Sequence, residues 1–374
     1  MSTPATGQSF AELIDRASVL VCAGPGGVGK TTTSAAIGLA AAQRGRRVVV
    51  VTIDPAKRLA DAIGVTISHE PSRVPGVTDG EFWAVMLDTE ATFDDLVRQH
   101  SSTPEQAGLI LGNRFYRNLS GALSGTQEYM AAEKLYELHR DNRFDLVVVD
   151  TPPTRNALDF LDAPKRLVHF LDHRLYRVLI APTRIGMRVA SAAAQPFLKS
   201  LSRVVGGDAI AEAVSFFQAF DGMEAGFRSR ADSVMSLLRS NDTGYVLITS
   251  PRREAVEEAR YFAGRLADQQ LGVSAVVANR VHPHFADGLD TTAIADLAAS
   301  HGNGPLRSLW ENLALLEAAA GSERKALEPL LALLDGQPAS RATVPLLEAD
   351  VHDLNGLGRV VEHLLGLHPD GLLR

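Results

Sequence analysis

A chain of 374 residues, 45% of them hydrophobic, is long enough to bury a large core, and its 37 basic against 44 acidic side chains give a formal charge of −7. No long basic block is present, so nucleic acid and anionic lipid are not favoured as obligatory partners, and direct nucleic-acid binding is not expected. One cysteine, Cys22, excludes an internal disulfide, a cysteine-based zinc site and a tri-thiolate metalloid site within the chain, and fits a reducing cytoplasm. The opening MSTPATGQSF lacks the basic and apolar regions of a secretory signal, and no uncharged run approaches the roughly 18 residues that a membrane span needs. The expectation is a cytoplasmic protein without a transmembrane segment.

Apolar, β-branched runs predict strands at Val19–Cys22, Val48–Asp54, Phe82–Leu87, Asp145–Asp150, Tyr245–Thr249 and Val273–Asn279, with a short last one near Val344–Leu347. Runs such as VVVVTID and DLVVVD are apolar on both alternating faces, as expected of strands covered on both sides. Helical patterns alternate with these strands, so the predicted fold class is α/β, a mostly parallel central sheet flanked by helices. Two long segments carry no strand signal. The predicted division is therefore a core of residues 1–88, 144–154 and 244–374, with an all-helical inserted subdomain of 89–143 and 155–243. In the second segment Ile210, Val214, Phe217, Phe220, Met223, Phe227, Ala231, Val234 and Leu238 recur at steps of three and four, which puts them on one helix face, with Gly222 predicted to interrupt or bend it. Phe285 to Thr343 reads as helical and rich in alanine and leucine, with a loop at HGNGP.

The stretch GPGGVGKT, Gly24 to Thr31, stands directly after a predicted strand and directly before a predicted helix, the context in which G-x-x-x-x-G-K-[ST] is a phosphate-binding P-loop. Its glycines let backbone N–H groups wrap a phosphate chain, and the helix beginning near Lys30 turns its positive end toward the anion. The predicted nucleotide contacts here are Gly24, Gly26, Gly27, Val28, Gly29, Lys30, Thr31 and Thr32. Lys30 is expected to reach the β- and γ-phosphates, and Thr31 to coordinate Mg²⁺. A magnesium-nucleotide site also needs a carboxylate at a neighbouring strand end. DLVVVDTPP supplies Asp150 and VVVVTIDPAKRLAD supplies Asp54. Strand-end aspartates also serve as plain helix caps. Here Asp150 is assigned to the magnesium shell, acting through water, and Asp54 to positioning or activating the attacking water.

GGVGKTT, then TIDPAKRLADAIG, then VVVDTPPTRNAL together resemble the ATPases of the arsenite pump and of tail-anchored-protein targeting, a branch of the P-loop proteins. The resemblance implies ATP and Mg²⁺ as cofactors, with Asp54-Pro55-Ala56 as switch I and Asp61 in register. It implies that Asp150, Thr151, Pro153 and Thr154 match switch II, whereas Pro152, Arg155 and Asn156 depart from it. VVANRVHP resembles the segment whose asparagine binds adenine, here Asn279, and TVPLLEADVHDLNGL resembles the adenine loop, with Pro345 and Leu346 against the base. The implied catalytic residues are Asp54 and Lys30.

Two departures bear on mechanism. The family usually carries, where Pro25 stands, a lysine that reaches across a dimer to the partner's nucleotide, and proline supplies no charge. Either turnover is slow, or another cation such as Arg58 or Arg155 substitutes, or a paralogous subunit contributes the lysine; the implied assembly is a homodimer or a heterodimer with a paralogous ATPase. The Cys-x-x-C pair that binds zinc in some relatives is missing, and HPHF at 282–285 or the pair His169 and His173 are weak substitutes, so no zinc is predicted. The resemblance implies that nucleotide-driven switches control the helical subdomain, whose client would be a hydrophobic helix of a membrane protein. The apolar stripe, with Met187, Met223 and Met235, would line a client groove or be the subdomain's own core. An anion-transport subunit (arsenite itself disfavoured) and a weakly catalytic subunit of a heteromeric ATPase are the alternatives.

Overall fold

The computed structural model of the chain describes residues 9–54, 58–114, 116–117, 126–152, 159–172, 207–286, 289, 291–300 and 304–367. Pro55, Ala56, Pro153, Thr154, Arg155, Asn156, His173 and Met187 lie outside the described residues. Two compact units form. The first comprises Met1–Met86, Leu138–Ala157 and Asn241–Arg374, the second Leu87–Glu137 and Leu158–Ser240.

In chain order the elements are α1 (Phe10–Arg16), β1 (Val19–Ala23), α2 (Lys30–Gln43), β2 (Arg47–Thr52), α3 (Arg58–Ile63), β3 (Ser72–Arg73), β4 (Glu81–Met86), α4 (Thr89–His100), α5 (Pro104–Leu111), α6 (Thr126–Arg140) and β5 (Leu146–Asp150). They continue as α7 (Asp159–Asp172), α8 (Gly207–Ala219), α9 (Glu224–Leu238), β6 (Thr243–Thr249), α10 (Arg253–Asp268), β7 (Ala275–Val281), α11 (Thr291–Ser300), α12 (Pro305–Ala332), β8 (Ser340–Pro345) and α13 (Leu354–Leu364). The first unit holds an eight-stranded sheet in the order β3-β4-β2-β5-β1-β6-β7-β8. All its pairs are parallel except β3 with β4. β3 was not predicted, because two polar residues carry no periodicity, and β8 begins four residues before the predicted strand.

Period-two alternation explains the apolar runs. Leu20, Val48, Val50, Leu146 and Val148 join one core cluster with α1, α2 and α13. Their neighbours Val19, Val21, Val49, Val51, Val147 and Val149 are buried on the opposite face. The lone thiol, Cys22, lies fully buried in β1, and burial pushes its pKa up to about 12.

The regular elements among the second unit's described residues are all helices. Asp88 caps α4 by accepting from the Ala91 N–H at 2.9 Å, and Thr103 caps α5 from the Gln106 N–H at 3.2 Å. Predicted as one interrupted helix, the apolar stripe forms α8 and α9, with Gly222 in the turn at φ +88°. The Gln106 amide holds that turn by donating to the carbonyls of Ala219 and Asp221 at 2.7 and 3.1 Å. Phe217, Phe220, Met223, Phe227, Ala231, Val234 and Leu238 are all buried. Phe220 packs on Phe227 with ring centroids 4.9 Å apart, and Phe216 packs on Phe220 at 5.6 Å. These residues pack as the unit's own core, the second of the two readings of the stripe: in this conformation none of the seven offers surface to a client. A buried ion pair joins Glu133 of α6 to Arg230 of α9, with burial pushing the Glu133 carboxyl up against the opposing pull of Arg230.

Candidate nucleotide-binding site

Everything assigned to the phosphate site converges at the C-terminal end of the parallel strands, where β1 runs into Gly24–Gly29 and α2 starts at Lys30. Backbone geometry dictates two of the loop glycines. A Cβ at Gly24 would stand 1.9 Å from the Ile248 carbonyl oxygen of β6, and one at Gly29, where φ is +90°, would stand 2.3 Å from the Asn279 amide nitrogen. Val28 points the other way and is buried in the core.

Lys30 is buried, and its ammonium donates to the Pro25 carbonyl at 2.8 Å. Burial lowers its pKa, while the Asp150 carboxylate pulls it back up. Thus Pro25 has lost an N–H and a side-chain charge relative to lysine, yet its carbonyl still serves the loop.

Asp150 is the last residue of β5, and strand register sets its partners. Cys22 lies opposite it on β1 and Thr52 opposite it on β2. The Thr52 hydroxyl donates to Asp150 Oδ2 at 3.0 Å, and the Thr31 hydroxyl, one residue into α2, donates to the same oxygen at 2.8 Å. Asp150 Oδ1 is buried with no hydrogen-bond partner. An orphaned carboxylate oxygen beside a threonine hydroxyl is a donor set that suits a hard divalent cation keeping several waters. Burial pushes the Asp150 carboxyl up to about 6 from its ordinary 3.8, and the hydrogen bonds from Thr31 and Thr52 oppose this.

The sign of the resulting pH dependence is fixed. The native carboxyl binds its proton more tightly than the unfolded one, so the stability it contributes is complete below about pH 4. That stability is lost as pH rises through about 6, by roughly 3 kcal/mol in all. In chelator-containing buffer, melting of the wild type and of Asp150→Asn compared between pH 5 and 8 should therefore favour the wild type progressively toward pH 5. A gap independent of pH would show that the carboxyl is not shifted.

Asp54 lies two residues beyond β2, its side chain 15% exposed and its carboxylate 3.3 Å from the Arg58 guanidinium. One cleft of about 510 Å³ is lined by Gly26, Lys30, Thr31, Asp54, Arg58 and Asp61, together with further loop residues. An adjoining cleft of about 210 Å³ is lined by Asn279, Pro345 and Leu346, and Gly29, Thr32, Arg280 and Val351 line both. Gly26, Gly27, Gly29, Lys30, Thr31 and Thr32 of the phosphate set and Asn279, Pro345 and Leu346 of the adenine set therefore border one depression of two adjoining halves, whereas Gly24 and Val28 line neither. Asn279 ties its two halves together by donating to the Val28 carbonyl at 2.8 Å.

Sequence reasoning missed Arg280, which follows Asn279 and reaches the Gly27 carbonyl at 3.2 Å. It also gave no partners to His282 and His284. Their Nδ1 atoms lie 2.8 Å from Glu323 and Glu317 of α12. Among the described residues no group of three or more His, Cys, Asp or Glu side chains is arranged to hold a metal ion.

A parallel sheet whose P-loop lysine, helix-start threonine and strand-end aspartate meet in this way defines a P-loop nucleotide hydrolase. The chain belongs to the anion-transporting ATPase family, whose model matches residues 17–292, from β1 to the start of α11. It is 25% identical over 263 residues to a protein of Entamoeba dispar named ATPase ASNA1 homolog, covering 70% of this chain and 75% of that one. It is 25% identical over 276 residues to the ATPase GET3 of Rhodotorula glutinis, covering 73% of each chain. With the ATPase GET3 of Malassezia globosa the identity is 32% over 157 residues, 41% of this chain and 45% of that one. The protein is an ATPase, and it binds nucleotide. No helix of the described residues is long and apolar enough to cross a membrane.

Proposed function

We propose that the chain is a magnesium-dependent ATPase switch of the tail-anchored-protein targeting type, acting in the cytoplasm as a homodimer or beside a paralogous ATPase. The observation that carries the magnesium site is the Thr31–Asp150–Thr52 cluster with its orphaned Oδ1. Thr31 would hold Mg²⁺ directly and Asp150 through water. When bound, the ion neutralises charge on the β- and γ-phosphate oxygens. Gly24, Gly26, Gly27, Val28 and Gly29 offer backbone N–H groups to the phosphates, and Lys30 exchanges the Pro25 carbonyl for phosphate oxygens. Thr32 adds a hydroxyl, Asp54 orients the attacking water, and Asn279, Pro345 and Leu346 take the adenine.

Chain path supports control of the helical unit, which we read as an inserted subdomain. The P-loop follows β1, the Asp54 segment follows β2, and the chain enters the second unit after β4 and after β5, all at C-terminal strand ends. Loss of the γ-phosphate would be felt first by those segments. The cargo we propose is a hydrophobic helix of a membrane-protein client. Because the α8–α9 stripe is core, cargo binding requires that core to open or other residues to serve. A photoreactive transmembrane peptide should crosslink to the second unit in an ATP-dependent manner. An equal or absent crosslink with and without Mg·ATP rejects the client while leaving the ATPase intact. The family's description names anion transport. A thiol-held metalloid is disfavoured here, since the single thiol is buried in β1.

A further inference from the structure

Arg280 has a backbone and a side-chain position that the sheet alone does not require. β7 pairs Asn279 with Val344 and Val281 with Pro345, so Arg280 is the additional residue of a bulge. Its φ is +61°, the left-handed region that a non-glycine residue occupies only when its surroundings hold it there. Two contacts do so. The Asn279 side-chain oxygen accepts from the Arg280 N–H at 2.9 Å, and the guanidinium donates to Gly27 O at 3.2 Å. Bulges beside active sites re-aim side chains. This one turns a cation off the sheet edge and onto the phosphate loop.

Its position separates it from the other cations of the cleft. Lys30 is buried at the loop's base, and Arg58 is paired with Asp54. Arg280 remains exposed, its hydrogen bond goes to a neutral carbonyl, and it lines both the phosphate cleft and the adenine cleft. A nucleotide lying from Pro345 to Lys30 must pass it with the α- and β-phosphates. Guanidinium matches phosphate oxygens in a bidentate fork, and its ion pair with charged phosphate oxygens outcompetes its bond to a neutral backbone carbonyl.

We infer that Arg280 grips the α,β-diphosphate of the bound nucleotide, supplying within this chain a positive charge to the loop in which Pro25 carries none. The inference rests on the nucleotide site proposed above. Recognition of the diphosphate is common to ADP and ATP, so Arg280 is a binding residue for both and does not discriminate between them.

Calorimetry with Mg·ADP and with a magnesium-bound, slowly hydrolysed ATP analogue tests it, using wild type, Arg280→Gly and Arg280→Lys. Glycine is at home at φ +61°, so Arg280→Gly should melt no lower than wild type while its affinity for both nucleotides falls roughly 10- to 100-fold. Arg280→Lys should recover part of that affinity, and kcat at saturating ATP should change less than the affinity does. An Arg280→Gly variant that binds Mg·ADP as tightly as wild type overturns the inference, as does a loss of affinity that only accompanies a lowered melting temperature. A wild-type chain that binds neither nucleotide would instead refute the site itself, and the inference with it.

Discussion

Lys30→Ala is expected to remove measurable Mg·ATP binding while leaving the fold intact. The ammonium sits in a buried position at the start of α2, where it donates only to the Pro25 carbonyl at 2.8 Å in the described structure. Replacing a neutral carbonyl by two or three charged phosphate oxygens would add charge-assisted bonds of roughly 1.5–3 kcal/mol each. Two or three such bonds total roughly 3–9 kcal/mol, so their loss corresponds to about 10²-fold in affinity at the least. Because burial lowers the Lys30 pKa, its charge is a burden on the nucleotide-free protein. The variant should therefore melt no earlier than wild type without nucleotide, and should lose the melting increase that Mg·ATP gives the wild type. Binding within a few-fold of wild type, measured by calorimetry, would remove Lys30 from the phosphate site.

Asp54→Asn should separate binding from chemistry. The side chain borders the same cleft as Lys30 and Thr31 but belongs to a different strand end, and Arg58 is its ion-pair partner. Arg58 is more than half exposed, so breaking that pair costs less than about 1 kcal/mol of stability. An amide cannot accept a proton from the attacking water, and general-base assistance is worth about 10² or more in rate. Affinity for Mg·ATP should stay within a few-fold of wild type while single-turnover hydrolysis slows by that factor. Parallel losses in affinity and rate would make Asp54 a binding residue.

What could be read from the residues followed locality. The P-loop is contiguous, so its glycines, Lys30 and Thr31 stand within eight residues of sequence. Asp54 and Asp150 each follow an unbroken apolar strand, which marks them without any knowledge of neighbours. Arg280 was invisible because its conformation depends on Gly27, 253 residues away. His282 and His284 likewise looked like loop residues until α12 brought Glu323 and Glu317 to them across 41 and 33 residues. Periodicity put the α8–α9 stripe on one face correctly but said nothing of what that face meets. Only the packing of Phe216, Phe220 and Phe227 against one another identified it as core.

Cys22 gives the molecule an intrinsic probe. The thiol belongs to the central strand that carries the phosphate loop, between β5 and β6, and no other cysteine competes with it. An alkylating reagent requires an accessible thiolate, which this position withholds while the strands remain paired. The unmodified chain therefore reports the opening of its own nucleotide-bearing strand through the rate at which it is alkylated, with no engineered label.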